Sequence, residues 1–125
     1  MSAPVSVLLG DDSPVFLAAA ATIVAATPGF ELAAACSSVG QAVETAADLR
    51  PDLALLDASM LGADPAGTAQ AVPAASPRTF VVLISADPRP AGGLPIVDKR
   101  SLSPALLADL WRQRPTGGTD AEEAA

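Results

Sequence analysis

A chain of 125 residues is one domain by size, able to bury a single core without disulfides or a structural metal. Half of its residues are hydrophobic and 17% are charged, a globular composition far from that of disordered chains, although much of the apolar half is alanine and a shallow core is expected. The net charge of −7, with seven scattered Lys and Arg, argues against direct nucleic-acid binding, which needs clustered basic groups against phosphates.

Residues 5–9 form a first strand candidate, followed at once by Gly10, Asp11, Asp12, Ser13 and Pro14. Ser13 and Pro14 read as an N-cap and first helical position. They open an alanine-rich helix over 15–26, with Phe16, Ile23 and Val24 as its larger apolar members, stopped by Pro28 and Gly29. A second strand is expected over 30–35. Residues 39–49 carry Val39, Ala42, Val43, Ala46 and Leu49 near the spacing of one helical face.

The stretch PDLALLDASMLG, residues 51–62, then holds a continuous apolar run from Leu53 to Leu56, which reads as a short strand buried on both faces. Such a strand ends in the crevice where parallel sheets bind ligands, and that end is Asp57. A helix is predicted over 64–72, although Pro65, Gly67 and Thr68 lie within it and Pro73 follows. Residues 79–84 form another buried strand ending in Ser85.

Residues 87–93, DPRPAGG, are turn chemistry throughout, and 94–97 make a short last strand followed by Asp98 and Lys99. Ser103 and Pro104 repeat the cap-then-proline signal and open a helix to about Arg112, with Leu106, Leu107, Leu110 and Trp111 on its apolar side. Phe16, Phe30, Phe80 and Trp111 are expected in the core, and Cys36 as a small buried hydrophobe. One cysteine forms no internal disulfide, no apolar run approaches the roughly 18 residues of a spanning helix, and no secretory signal is read, so a cytoplasmic location is expected. The domain is placed at 1–115, with 116–125 as a disordered tail or linker stub.

Strands alternating with helices imply an α/β fold, a doubly wound five-stranded parallel sheet of order 2-1-3-4-5 with helices on both faces. With no histidine in the chain, Ser-His-Asp triads, histidine zinc ligands and imidazole bases are excluded. The strand ends supply Asp11 and Asp12, Asp57, Ser85 and Lys99 instead. Three close carboxylates invite a hard cation, and Mg2+ suits them because it takes one or two carboxylates, waters and a phosphoryl oxygen. The lysine matches a phosphoryl group as a point charge.

Together VLLGDDSPVF, PDLALLDASM, VVLISA and IVDKRSLSPALL resemble the receiver domain of two-component response regulators, chemotaxis-receiver-like and of the branch whose first strand ends in Asp-Asp-x-Pro. The resemblance implies that Asp57 accepts a phosphoryl group from a phosphohistidine on a sensor histidine kinase or phosphotransfer protein. It implies Mg2+ held by Asp11, Asp12, Asp57 and the backbone carbonyl of Ser59, with Ser85 and Lys99 on the phosphoryl group and small Ala86 leaving its path open. Such a chain is a signalling phosphoacceptor rather than an enzyme, acting through protein contacts with a downstream protein or a second copy, and not through membranes.

Three positions depart from the family. Leu61 stands where proline is usual, Pro65 follows Asp64 where Asp-Gly is common, and Ile96 replaces the aromatic residue that changes rotamer on activation. Only eight residues, 86–93, are available for the fourth crossover, where a helix-bearing connection needs about a dozen or more. An extended segment of that length spans about 26 to 29 Å, so a parallel return without a helix is expected, with at most one helical turn. Two other readings stay open: a pseudo-receiver that binds proteins constitutively, and a small Mg2+-dependent phosphohydrolase with Asp57 as nucleophile. Against the second, Ser59 stands where that chemistry has a second aspartate.

Overall fold

The computed structural model describes residues 3–90 and 92–115. The expected tail over 116–125 lies outside the described residues. Five parallel strands, β1 (Val5–Gly10), β2 (Phe30–Cys36), β3 (Leu53–Asp57), β4 (Phe80–Ser85) and β5 (Ile96–Asp98), pair in the order β2-β1-β3-β4-β5, as the sequence predicts. Helices α1 (Pro14–Ala25), α2 (Val39–Leu49), α3 (Pro65–Ala69), α4 (Ala71–Ala75) and α5 (Pro104–Arg112) cover its two faces. Ser13, Ser38 and Ser103 cap α1, α2 and α5 through their hydroxyls, each accepting a backbone N–H one turn on.

β3 is buried along its whole length, and its alternation sorts the core. Leu53 and Leu55 pack with Val7, Leu9, Val82 and Ile84 on the side of α1 and α5. Ala54 and Leu56 pack with Leu8, Val81 and Leu83 on the other side, where Ala42, Ala46, Ala69 and Cys36 are small enough to let α2 and α3 approach the sheet closely. The α1 and α5 face also takes one buried alanine, Ala20, but is filled chiefly by Val24, Leu107 and the half-buried Phe16, Phe30, Phe80 and Trp111.

Two expectations need correcting. The helix predicted over 64–72 does not stop before Pro73: it breaks at Gln70, and the chain continues in α4 to Ala75. Pro73 is the third residue of α4, where a helix requires no N–H from it, so proline interrupts the ladder one turn earlier without ending the helical path. The last strand begins at Ile96 rather than at 94, because Pro95 has no N–H to give to a ladder; its carbonyl instead accepts from the Leu83 N–H at 2.8 Å. Among the described residues between Ser85 and Ile96 there is no helix, and Gly92 and Gly93 turn the chain at positive φ of 57° and 84°. The fourth crossover is thus irregular, as its length predicts.

On the outer edge, β2 holds one residue more than the run of β1 it faces. Val7 pairs with Leu32 and Leu8 with Ala34, which leaves Ala33 as a bulge.

If β3 is the spine of both cores, truncating Leu55, fully buried, should lower unfolding stability by about 2 to 5 kcal/mol. The change should appear in urea titrations as a lower midpoint at unchanged slope. Leu49→Ala, at a position 53% exposed, should stay within about 0.5 kcal/mol of the parent.

Candidate functional site

The carboxyl ends of the parallel strands converge on one edge. There β1 runs into Asp11, β3 ends in Asp57, β4 in Ser85, and β5 hands over to a 3-10 turn, Lys99–Ser101. Asp57 pairs with Ile84 and Ser85 with Asp98 across the sheet, which fixes the ends side by side. Gly10 permits this crowding, since a Cβ there would lie 2.9 Å from Leu56 Cδ2 and 3.1 Å from Met60 Cε.

Asp11, Asp12 and Asp57 each direct a carboxylate oxygen to a common point, all within 4.8 Å of one another. Asp11 is 0% and Asp57 2% exposed, while Asp12 faces solvent. Asp11 Oδ1 accepts from the Ser13 N–H at 2.8 Å. Its buried Oδ2 is paired with Lys99 Nζ at 2.5 Å. Lys99 Nζ also lies 3.4 Å from Asp57 Oδ1, and Asp57 Oδ2 accepts from the Ser59 hydroxyl at 2.7 Å. The Lys99 ammonium is further set 4.5 Å from the centroid of the Phe16 ring.

Burial works against the charged form of Lys99, but the hydrogen bond to Asp11 and the charges of Asp57 and Asp11 outweigh it, so its pKa is raised. Asp98 caps the turn that begins at Lys99, accepting from the Arg100 N–H at 2.8 Å, and the Arg100 side chain holds its carboxyl down to about 2. The cap is therefore ionised at any ordinary pH.

The five strand-end residues do not all meet. Ser85 lies one position beyond the pairing partner of Asp57, but its hydroxyl accepts from the Asp87 N–H at 3.0 Å. With Ser59 it lines an open cleft of about 510 Å3 between the start of α3 and the fourth crossover, where Asp64, Arg89 and Ile96 also stand. Ala86 is exposed beside it. Sequence reasoning assigned Ser59 only a backbone role and Phe16 only a core role. The spacing held a signal for both: Ser59 is two residues past Asp57 in a tight turn, and Phe16 is one turn past the Ser13 cap.

Three carboxylates against a single ammonium leave excess negative charge where the oxygens lie close, while Lys99 offers a positive group beside Asp57, an arrangement chemically able to hold a cation and an anion side by side. No family model matches the chain. It is 35% identical over 111 residues, 86% of its length, to a protein-glutamate methylesterase/protein-glutamine glutaminase of Anaeromyxobacter dehalogenans (strain 2CP-C). The chain spans 32% of the length of that relative. Among solved structures, it is similar to the signal receiver domain of the response regulator NarL from Mycobacterium tuberculosis, with a TM-score of 0.75 at 26% identity, covering 90% of this chain and 100% of that one. The response regulator domain of Thermotoga maritima CheB matches with a TM-score of 0.72 at 21% identity over 89% of this chain and 96% of that one. A chain from the complex of the CheA3 P1 domain with CheY6 of R. sphaeroides matches with a TM-score of 0.72 at 20% identity over 90% of this chain and 98% of that one. The last two show the shared fold.

Because Lys99 neutralises two buried carboxylates, Lys99→Met should lower stability by about 3 to 5 kcal/mol near neutral pH. A raised lysine pKa contributes stability that is fully present below the ordinary value of 10.5 and is lost as pH rises through the higher folded value. The gap between parent and variant, followed by urea unfolding, should therefore narrow in strongly alkaline solution.

Proposed function

We propose, from the premise that the chain belongs to the receiver-domain family of response regulators, that Asp57 accepts a phosphoryl group and that the chain signals through protein contacts. The observation that carries this reading is the state of Asp57: 2% exposed at a strand end, with an ammonium 3.4 Å from one oxygen and two further carboxylates beside it. The donor in this reading is a phosphohistidine on a sensor kinase or phosphotransfer protein, a proposal supported by the likeness to a receiver solved with a CheA P1 domain. An Asp57 oxygen forms an O–P bond as the P–N bond to the donor imidazole breaks, and the bonding electron pair returns to the imidazole nitrogen.

The residues present fit a divalent cation. Three carboxylate oxygens lie within 4.8 Å of one another, with the single Lys99 ammonium to set against their charge. Asp11, Asp12, Asp57 and the Ser59 carbonyl would hold Mg2+, which supplies charge neutralisation for the transferring phosphoryl oxygens. Lys99 binds and orients the phosphoryl group from the side of α1. Ser85 can keep the bond it accepts from Asp87 and still donate its O–H to a phosphoryl oxygen, since a hydroxyl does both. The Ser59 hydroxyl holds one Asp57 oxygen and so orients the carboxylate that attacks.

Output is the less ordinary part of the proposal. With Ile96 at the position of the switching aromatic residue and no helix among the described residues of the fourth crossover, the surface of β5 and α5 lacks parts that would relay the event. Phosphorylation is therefore read through another surface or is hardly propagated at all. Sedimentation after phosphorylation should show no dimer that depends on β5 and α5; such a dimer would overturn this part.

With Mg2+ and a small acyl phosphate, intact-mass measurement should find one added phosphoryl group. Asp57→Asn should abolish it and chelation of the metal should suppress it. Labelling that persists in the variant or ignores the chelator would refute the assignment.

A further inference from the structure

Four contacts close a circuit around Lys99. The Ser13 N–H donates to Asp11 Oδ1 at 2.8 Å, and the Phe16 N–H donates to the Ser13 hydroxyl at 3.2 Å. The Phe16 ring then faces Lys99 Nζ, 4.5 Å from its centroid, and Nζ returns to Asp11 Oδ2 at 2.5 Å. The helix cap of α1 and the lysine that follows β5 are thereby tied to the two oxygens of the same buried carboxylate. Packing alone does not account for the ring: leucine would fill the same half-buried place against the α1 face of the core, but only an aromatic face attracts an ammonium.

The choice of partner has a chemical point. An ammonium has three donors and no acceptor, and here two carboxylates take its inner side. A π face on the remaining side holds the cation electrostatically and covers it from water, without the directed hydrogen bond that a third carboxylate would take from it. Lys99 is only 18% exposed in consequence of this enclosure. We propose that Phe16 is a positioning residue for phosphoryl transfer to Asp57, holding the Lys99 ammonium at the strand ends through its ring face, including when a cation occupies Asp11. The inference rests on the reading of Asp57 as phosphoacceptor.

The test compares the parent, Phe16→Leu, Phe16→Trp, Lys99→Met and the double variant Phe16→Leu with Lys99→Met, using acetyl phosphate as donor in the presence of Mg2+. Folding of each is checked by circular dichroism. Phe16→Leu should slow labelling of Asp57 by about two- to thirty-fold, the range of a partly desolvated cation–π contact. Phe16→Trp should restore it, and the double variant should be no slower than Lys99→Met alone. The Lys99 Cε protons should carry an upfield ring-current shift in the parent that Phe16→Leu removes. Equal slowing by Phe16→Leu in both backgrounds, absence of rescue by Trp, or absence of the ring-current shift would overturn the inference. If Lys99→Met does not fold, the leucine and tryptophan variants decide between them. A parent that takes no phosphoryl group brings down the functional reading and this role together, whereas a labelled parent with an unaffected Phe16→Leu overturns this role alone.

Discussion

Two carboxylates lie almost without solvent at neighbouring strand ends, Asp11 at 0% and Asp57 at 2% exposure, and among the described residues Lys99 is the basic group that meets them. An ion taken from water into such a place costs several kcal/mol unless it is paired and hydrogen-bonded. Much of the local structure answers that cost. The Ser13 N–H and the Ser59 hydroxyl each take one carboxylate oxygen, and the 3-10 turn after β5, capped by Asp98, delivers the ammonium. A sheet whose central strand is dry on both faces provides the rigid edge against which these groups are held. The site and the core are in this sense one object, since the strand that buries Leu53 to Leu56 is the strand that buries Asp57.

The fold was largely legible because its signals are local. Apolar runs in β3 and β4, serine caps followed by proline in α1 and α5, and the helical spacing over α2 each predict an element from a few adjacent residues. The misreadings have local causes too. Pro73 reads as a stop, yet in the first turn of a helix its missing N–H is not needed. The start of β5 depends on which N–H groups reach a neighbouring strand, and the loss of that group at Pro95 decides it. The gathering of Asp11, Asp12, Asp57 and Lys99 follows from strand order, so sequence reasoning reached it through topology. Side-chain direction was harder. Whether Ser85 turns to Asp57 or to the Asp87 N–H, and whether Phe16 offers its edge or its face to a cation, depends on rotamers that no spacing specifies.

The two faces of the sheet are built from different material. Leucine and valine fill both sides, but the α2 and α3 side adds Cys36, Ala42, Ala46, Ala54 and Ala69, and the α1 and α5 side adds the aromatic rings. The second face also carries the lysine and the phenylalanine ring, so the bulkier packing coincides with the charged chemistry. Beyond β4 the chain returns through ten residues, 86–95, and beside that return lies an open cleft bordered by Ser59, Ser85 and Ile96. The candidate site is therefore walled on the α1 side and open toward α3.

The bulge at Ala33 bears on a different problem, that of keeping sheets from adding to one another in solution. β2 is an edge strand of seven residues, FELAAAC, with Glu31 as its single charge, and its outer side carries N–H and C=O groups without a strand to receive them. A flat edge of that composition is a template for intermolecular strand addition. The extra residue kinks the strand and throws its outer hydrogen-bonding groups out of step halfway along, so that an incoming strand finds two short ladders in place of one long one. A small irregularity of the edge strand thus makes it a poorer template for strand addition by a second chain.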